Sequence, residues 1–138
     1  MKKYLFILLI LIFCNCSNDQ YNNSNPYIPN YSFSININTD LPTYNSLKFV
    51  GNGMYIPNAG ARGIIVFNTT GTAYVAYDAA CPNQALSACS TMFVSGINAK
   101  CNCDNAEYNL FTGQSPGKEY PMKPYRVETT GPIIRVYN

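Results

Sequence analysis

The sequence predicts an all-β domain, an antiparallel β-sandwich or pair of small barrels, and three observations predict it. From residue 47 to the end of the chain, short runs rich in β-branched and aromatic residues recur about every ten residues between glycine-, proline- or asparagine-bearing turns. Stretches of Ala, Leu, Glu and Lys are scarce after residue 20, and no helical period of useful length appears there. Composition agrees, with twelve tyrosines, nine glycines, nine prolines and no tryptophan. A chain of 138 residues supports one domain with its own core and is too short for two.

The first element is an address. Lys2 and Lys3 precede an apolar run over 4–13, which ends at Cys14-Asn15-Cys16-Ser17. A membrane-spanning helix needs about twenty apolar residues, so this run of roughly half that length reads as the core of a secretory signal peptide. The cysteine that follows reads as the acyl acceptor of a bacterial lipoprotein, with 1–16 as the signal. Cys16 is preferred, because small or polar residues are wanted just upstream of the cut; Cys14, beside Phe13, is the alternative. An acceptor cysteine bearing two or more acyl chains anchors stably where one chain is marginal. The expected location is therefore the cell envelope, periplasmic or at the cell surface. The start carries Lys-Lys rather than twin arginine, so the chain is expected to cross the membrane unfolded, into a compartment where neighbouring thiols pair.

Residues 17–45 are polar and proline-punctuated and read as a tether. Within them Phe33, Ile35 and Ile37 alternate with Ser34, Asn36 and Asn38, the period of a half-buried edge strand. The flexible part is expected to end near Tyr31. Folded structure is expected from 46 to 138. Its apolar runs are 47–50, 54–56, then 63–67 and 72–77 joined across Asn68-Thr69-Thr70-Gly71 as a hairpin. Ala73, Val75 and Tyr77 share one face of that hairpin, opposite Tyr74 and Ala76. After the cysteine-bearing stretch come 107–111, a Pro/Gly loop over 115–121, then 125–129 and 133–137 about the turn Thr130-Gly131-Pro132.

The chemistry-bearing stretch is 81–104. Four of the six cysteines lie in it, as Cys81-Pro82-Asn83, then Cys89, then Cys101-Asn102-Cys103-Asp104. Cys-x-Asn, seventeen residues and Cys-x-x-Asp resembles the frame of a Rieske iron–sulfur site, Cys-x-His and Cys-x-x-His, with both histidines replaced. Other segments fall in the same order. Tyr77-Asp78-Ala79-Ala80-Cys81-Pro82 leads from a hairpin into the first loop. Cys101-Asn102-Cys103-Asp104-Asn105-Ala106-Glu107-Tyr108-Asn109 resembles the family's Cys-Pro-x-His-Gly-x-x-Phe-Asp. Pro121-Met122-Lys123-Pro124-Tyr125-Arg126-Val127-Glu128 resembles its proline-bearing loop, and 133–137 its closing strand. The likeness covers 47–138 and implies a Rieske-like β domain of iron–sulfur-protein type, with two cysteine-bearing loops at one end.

The departures fall on the ligands. A Rieske cluster is held by two thiolates on one iron and two imidazoles on the other, and this chain has no histidine. Asn83 offers a neutral amide, a poor iron ligand. Asp104 offers a hard oxygen donor better suited to Mg, Ca or Mn. Asn105 replaces the family's glycine and is the side-chain-bearing type that most readily accepts positive φ. Since Cys81 and Cys101 match the two thiolate ligands, the resemblance implies that their sulfurs lie close together, and with the metal absent in an oxidising compartment a disulfide between them is expected. Cys89 and Cys103 resemble the second, inter-loop bridge of some family members, although Cys89 lies further along than the pattern expects. Of the three pairings four cysteines allow, the expected one is Cys81–Cys101 with Cys89–Cys103, and no metal. Zn²⁺ and an all-cysteine [2Fe–2S] cluster are the alternatives, although the spacing is not the usual zinc knuckle.

Function follows from exclusions. Without Lys2 and Lys3, seven basic residues face seven acidic ones, so nothing electrostatic favours nucleic acid. Without histidine, Ser/His/Asp and Cys/His arrangements are impossible, and no phosphate-binding glycine loop appears. The chain is expected not to be an enzyme. Tyr21, Tyr27, Tyr31, Tyr44, Tyr55, Tyr120 and Tyr125 lie in or near loops, as on recognition surfaces, or else cover a core short of aliphatics. The expected role is a lipid-anchored binding or structural module touching an envelope protein or glycan. An electron carrier with atypical ligands is the alternative.

Overall fold

The computed structural model describes residues 21–138. The signal segment, Cys14 and Cys16 therefore lie outside the described residues. Nine strands form among those described: β1 (Ser34–Asn38), β2 (Gly53–Ile56), β3 (Ile64–Asn68), β4 (Tyr74–Asp78), β5 (Met92–Ser95), β6 (Asn98–Cys101), β7 (Glu107–Asn109), β8 (Pro124–Thr130) and β9 (Ile133–Tyr137). Six of them build a curled antiparallel sheet in the order β1-β9-β8-β4-β3-β2, and β5-β6-β7 form a small second sheet. No helix among the described residues is long and apolar enough to cross a membrane.

The core explains the curl. β3 is buried along its whole length, because its two faces serve two cores, and its sequence is accordingly apolar without alternation. Ile65 and Phe67 pack with Tyr77, Met92, Tyr108, Leu110 and Met122, between the large sheet and the small one. Ile64 and Val66 pack with Ile37, Leu47, Ala76, Tyr125, Ile134 and Val136 inside the curl. Each Ile, Leu, Val, Phe or Met among them contributes roughly 1.5–3 kcal/mol when fully buried.

The hairpin β3–β4 pairs Ile64 with Asp78 and Asn68 with Tyr74. Asn68 fixes its turn by accepting from the Gly71 amide at 2.6 Å and donating to the Leu47 carbonyl at 2.8 Å. β1 takes the expected edge position against β9, with Ile37 buried.

Three expectations differ from the structure. The run 47–50 is not a strand. A 3₁₀ helix spans Pro42–Lys48, with proline in its first turn, and Leu47 is its buried residue while Phe49 and Val50 are exposed. The expected tether differs in its described part: from residue 21 it lies against the domain. Ile28 is buried, Asn23 donates to Pro124 O and Asn138 Oδ1, and Asn25 donates to Pro82 O. Asparagine-rich sequence lacks apolar surface, but here its side-chain amides donate to carbonyls of the domain. The folded unit thus begins before residue 46. Finally, the cysteine stretch contains a hairpin of its own, β5–β6, which pairs Met92 with Cys101 around Gly96 and Ile97.

Candidate functional site

Three loops meet at the end of the small sheet: residues 79–91, 102–106 and 110–123. The first leaves β4 under control of Asp78, which is fully buried. Its Oδ1 accepts from the Ala80 amide at 2.8 Å, and its Oδ2 accepts from the Ala61 amide at 2.6 Å and the Tyr125 hydroxyl at 2.7 Å. Burial first, and the Asp78 charge second, push the Tyr125 phenol far above its ordinary value. Tyr125 is thus a core residue at 4% exposure rather than a loop tyrosine. Beyond Asp78 the chain stays extended, with Met92 N donating to Ala79 O at 2.7 Å and Cys81 N to Ser90 O at 2.8 Å. This register delivers Cys81 beside the end of β6.

Cys81 and Cys101 form a disulfide with Cα atoms 5.6 Å apart, and Cys89 and Cys103 form a second with Cα atoms 5.1 Å apart. Both separations lie in the ordinary disulfide range, and the pairs are the expected Cys81–Cys101 and Cys89–Cys103. The bridges differ in setting. Cys81 and Cys101 belong to the core between the sheets, at 1% and 0% exposure. Cys103 is half-buried and Cys89 exposed. The sulfurs of Cys81, Cys101 and Cys103 all lie within 4.8 Å of one another.

Asn83 and Asp104, at the two expected former ligand positions, both reach the third loop. Asn83 clamps the backbone of Tyr120 from both sides: Oδ1 accepts from its amide at 2.9 Å, while Nδ2 donates to its carbonyl at 2.7 Å. Nδ2 also donates to the Tyr108 hydroxyl at 2.9 Å. Asp104 Oδ1 accepts from the Ala106 amide at 3.0 Å, and Oδ2 takes the Lys118 ammonium at 2.6 Å. That hydrogen bond from Lys118 is the main reason the Asp104 carboxyl lies below its ordinary value, and the same contact raises Lys118. Asn105 has φ 58° and donates its amide to Cys101 O at 3.0 Å. It therefore closes the second loop in the left-handed region that asparagine tolerates.

The loops are thus joined by sulfur between first and second, and by hydrogen bonds from each to the third. This donor set does not fit a cluster held by two thiolates and two imidazoles. The imidazoles are absent from the sequence, the matching thiols are bonded to each other, and both remaining side chains have their polar atoms engaged within the protein.

Sequence reasoning placed Tyr108 at the family's aromatic position but missed its bond to Asn83 and the roles of Asp78, Lys118 and Lys123. Lys123 is 1% exposed; its ammonium donates to Asn23 O at 2.6 Å and to Asn30 Oδ1, and burial lowers its pKa. A lysine closing an aromatic–proline run carries no local signal of burial. Of the tyrosines singled out, Tyr21, Tyr27, Tyr31 and Tyr55 are exposed. Tyr27 stacks edge-on against Tyr120 beside the loops, with ring centroids 6.0 Å apart.

No protein-family model and no curated protein matches the chain. Among solved structures it is similar to a chain of the complex of reduced oxygenase and oxidized ferredoxin in carbazole 1,9a-dioxygenase. That match has 17% identity and a TM-score of 0.50, over 77% of this chain and 92% of that one. It is also similar to the Sphingomonas yanoikuyae B1 ferredoxin, at 15% identity and a TM-score of 0.46, over 65% and 88% of the two chains. The first of these likenesses gives the fold: a Rieske-like domain with its two cysteine-bearing loops.

Proposed function

We propose that this chain is a lipid-anchored protein of the bacterial cell envelope whose Rieske-like domain carries no cluster and acts, without catalysis, as a binding or structural module. The observation that carries this reading is the use made of the four former ligand positions. Cys81 is bonded to Cys101, while Asn83 and Asp104 hold the third loop through Tyr120 and Lys118. A ligand position spent on internal cross-links performs the mechanical part of a cluster's work, which is to hold loops together, and supplies no redox centre. The anchor is assigned to Cys16, and the partner to an envelope protein or glycan. The exposed tyrosines support contact as the mode of action, since their rings offer large, amphipathic area at low entropic cost.

A second reading keeps an ion. The sulfurs of Cys81, Cys101 and Cys103 lie within 4.8 Å of one another, and reduction of both bridges would turn them into thiolates for an electron carrier with a [2Fe–2S] cluster or for a Zn²⁺ site. The two readings separate in one preparation. The full chain is extracted from native envelope in detergent without reductant or chelator, its visible spectrum recorded, and its iron and zinc measured. A colourless protein without stoichiometric metal is expected. Charge-transfer bands with two irons per chain, or one zinc, overturn the reading.

A further inference from the structure

We propose that the two disulfides form a thiol–disulfide relay, in which an external dithiol attacks exposed Cys89 and Cys103 passes the exchange on to the buried Cys81–Cys101 bond. This goes beyond a purely structural use of the cross-links, and it rests on the disulfide pairing that also underlies the proposed function.

The geometry sets the direction. Cys89 is exposed, Cys103 half-buried, and Cys81 and Cys101 buried. A thiolate arriving from solvent therefore reaches the Cys89 sulfur and not the inner pair. Attack at one sulfur of a disulfide expels the other. The sulfur expelled here is that of Cys103, which lies within 4.8 Å of both inner sulfurs. Two polar side chains stand where thiolates form. The Ser87 hydroxyl lies 3.4 Å from the Cys89 sulfur and 3.6 Å from that of Cys103; because a bonded sulfur carries no hydrogen, the hydroxyl is the donor. The Gln84 amide donates to the Cys101 sulfur at 3.5 Å, which makes Cys101 the better leaving group of the inner pair.

The sequence of bonds follows. One thiolate of the dithiol forms a mixed disulfide with Cys89, and the Cys89–Cys103 bond breaks. Cys103 thiolate attacks the Cys81 sulfur, so that Cys81–Cys103 forms and Cys81–Cys101 breaks, and the Cys101 thiolate takes up a proton. The second thiol of the dithiol then resolves the mixed disulfide, releasing Cys89 as a thiol and the dithiol as its cyclic disulfide. The dithiol loses two electrons, and the domain gains two. One bridge remains, now Cys81–Cys103, with Cys89 and Cys101 reduced.

The test uses the full chain in detergent, treated with substoichiometric dithiothreitol, trapped with N-ethylmaleimide, and mapped by non-reducing peptide mass spectrometry. In the one-bridge species the relay gives label on Cys89 and Cys101, with Cys81 joined to Cys103. Label on Cys89 and Cys103 with Cys81–Cys101 intact overturns it. The C89S variant gives a second reading without reductant: the relay predicts a substantial fraction joined Cys81 to Cys103 with Cys101 alkylated, and Cys81–Cys101 as the sole bridge contradicts it. Independent bridges in a metal-free protein reject the relay and leave the proposed function standing, whereas iron at two per chain rejects both.

Discussion

The buried bridge is the cross-link on which the end of the small sheet depends, and replacing both of its cysteines by alanine tests that dependence. Cys81 leaves the extension of β4, and Cys101 ends β6, so the bond closes the segment that contains loop one, β5 and most of β6. With 20 residues separating the cysteines, the chain-entropy relation assigns the closure about 3.3 kcal/mol at 25 °C. Both sulfurs sit in the packed core, so C81A/C101A also leaves a void, and the loop term is a lower bound. For a domain of this size each kcal/mol moves the melting temperature by about 4 °C, which gives a drop of roughly 13 °C. The outer pair, 14 residues apart, is assigned about 3.0 kcal/mol by the same relation. Its sulfurs lie nearer the surface, so C89A/C103A is expected to cost less than the inner pair. The two closed segments overlap, and removing both bridges is therefore not additive. The assay is urea unfolding followed by far-UV circular dichroism and tyrosine fluorescence, since the chain has no tryptophan. A loss below about 1 kcal/mol for C81A/C101A, far under the closure value, refutes the idea that this bond holds the loops.

Three further outcomes follow from the same contacts. Asn83→Leu removes three hydrogen bonds and leaves both polar groups of the Tyr120 backbone unpaired; at about 1 kcal/mol each this costs roughly 2–4 kcal/mol, and amide exchange at Tyr120 is expected to accelerate while β3 stays protected. Gly60→Ala drives a Cβ into Asp78 Oδ2 and to 2.9 Å from the Tyr125 hydroxyl, at φ +64°, so a loss of about 2–4 kcal/mol is expected from strain and a broken buried hydrogen bond; unchanged urea stability contradicts this. The Asp104 carboxyl is depressed chiefly by its hydrogen bond from Lys118. Its contribution is therefore present above the unfolded pKa of about 4 and is lost as pH falls through the lower folded value. Asp104→Asn is expected to flatten part of the acid limb of stability below that pH and to leave the neutral-to-alkaline limb unchanged, which a pH series of melting curves reads directly.

Much of the architecture was readable because burial writes itself into residue order. β3 is buried on both faces and shows as an unbroken apolar run, while β1 has one buried face and shows strict alternation. The hairpin within the cysteine stretch was also written there. Met92, Phe93 and Val94 are followed by Gly96-Ile97, and Gly96 adopts φ 61°, a two-residue connection of the kind that favours glycine first. Leu47 misled because one buried aliphatic serves a 3₁₀ turn as well as a strand, and Pro42 five residues earlier was the stronger signal.

The frame of the site was legible from cysteine spacing, but its wiring was not. Asn83 meets Tyr120 across 37 residues and Asp104 meets Lys118 across 14, and no local pattern announces such partners. The described part of the tether was misjudged for a related reason. Composition reports how much apolar surface a segment can bury, but it is silent on whether its amides will find carbonyls, as Asn23 and Asn25 do.

The central claim, that sulfur bridges and side-chain hydrogen bonds do the joining at this end of the domain, meets its most direct test in a cysteine inventory of the native protein. The chain, purified without reductant, is alkylated in denaturant before any reduction and then mapped peptide by peptide. The account predicts Cys81 linked to Cys101, Cys89 linked to Cys103, and no alkyl group on any of the four. Alkylated Cys81 and Cys101 in protein that has just released iron contradicts it.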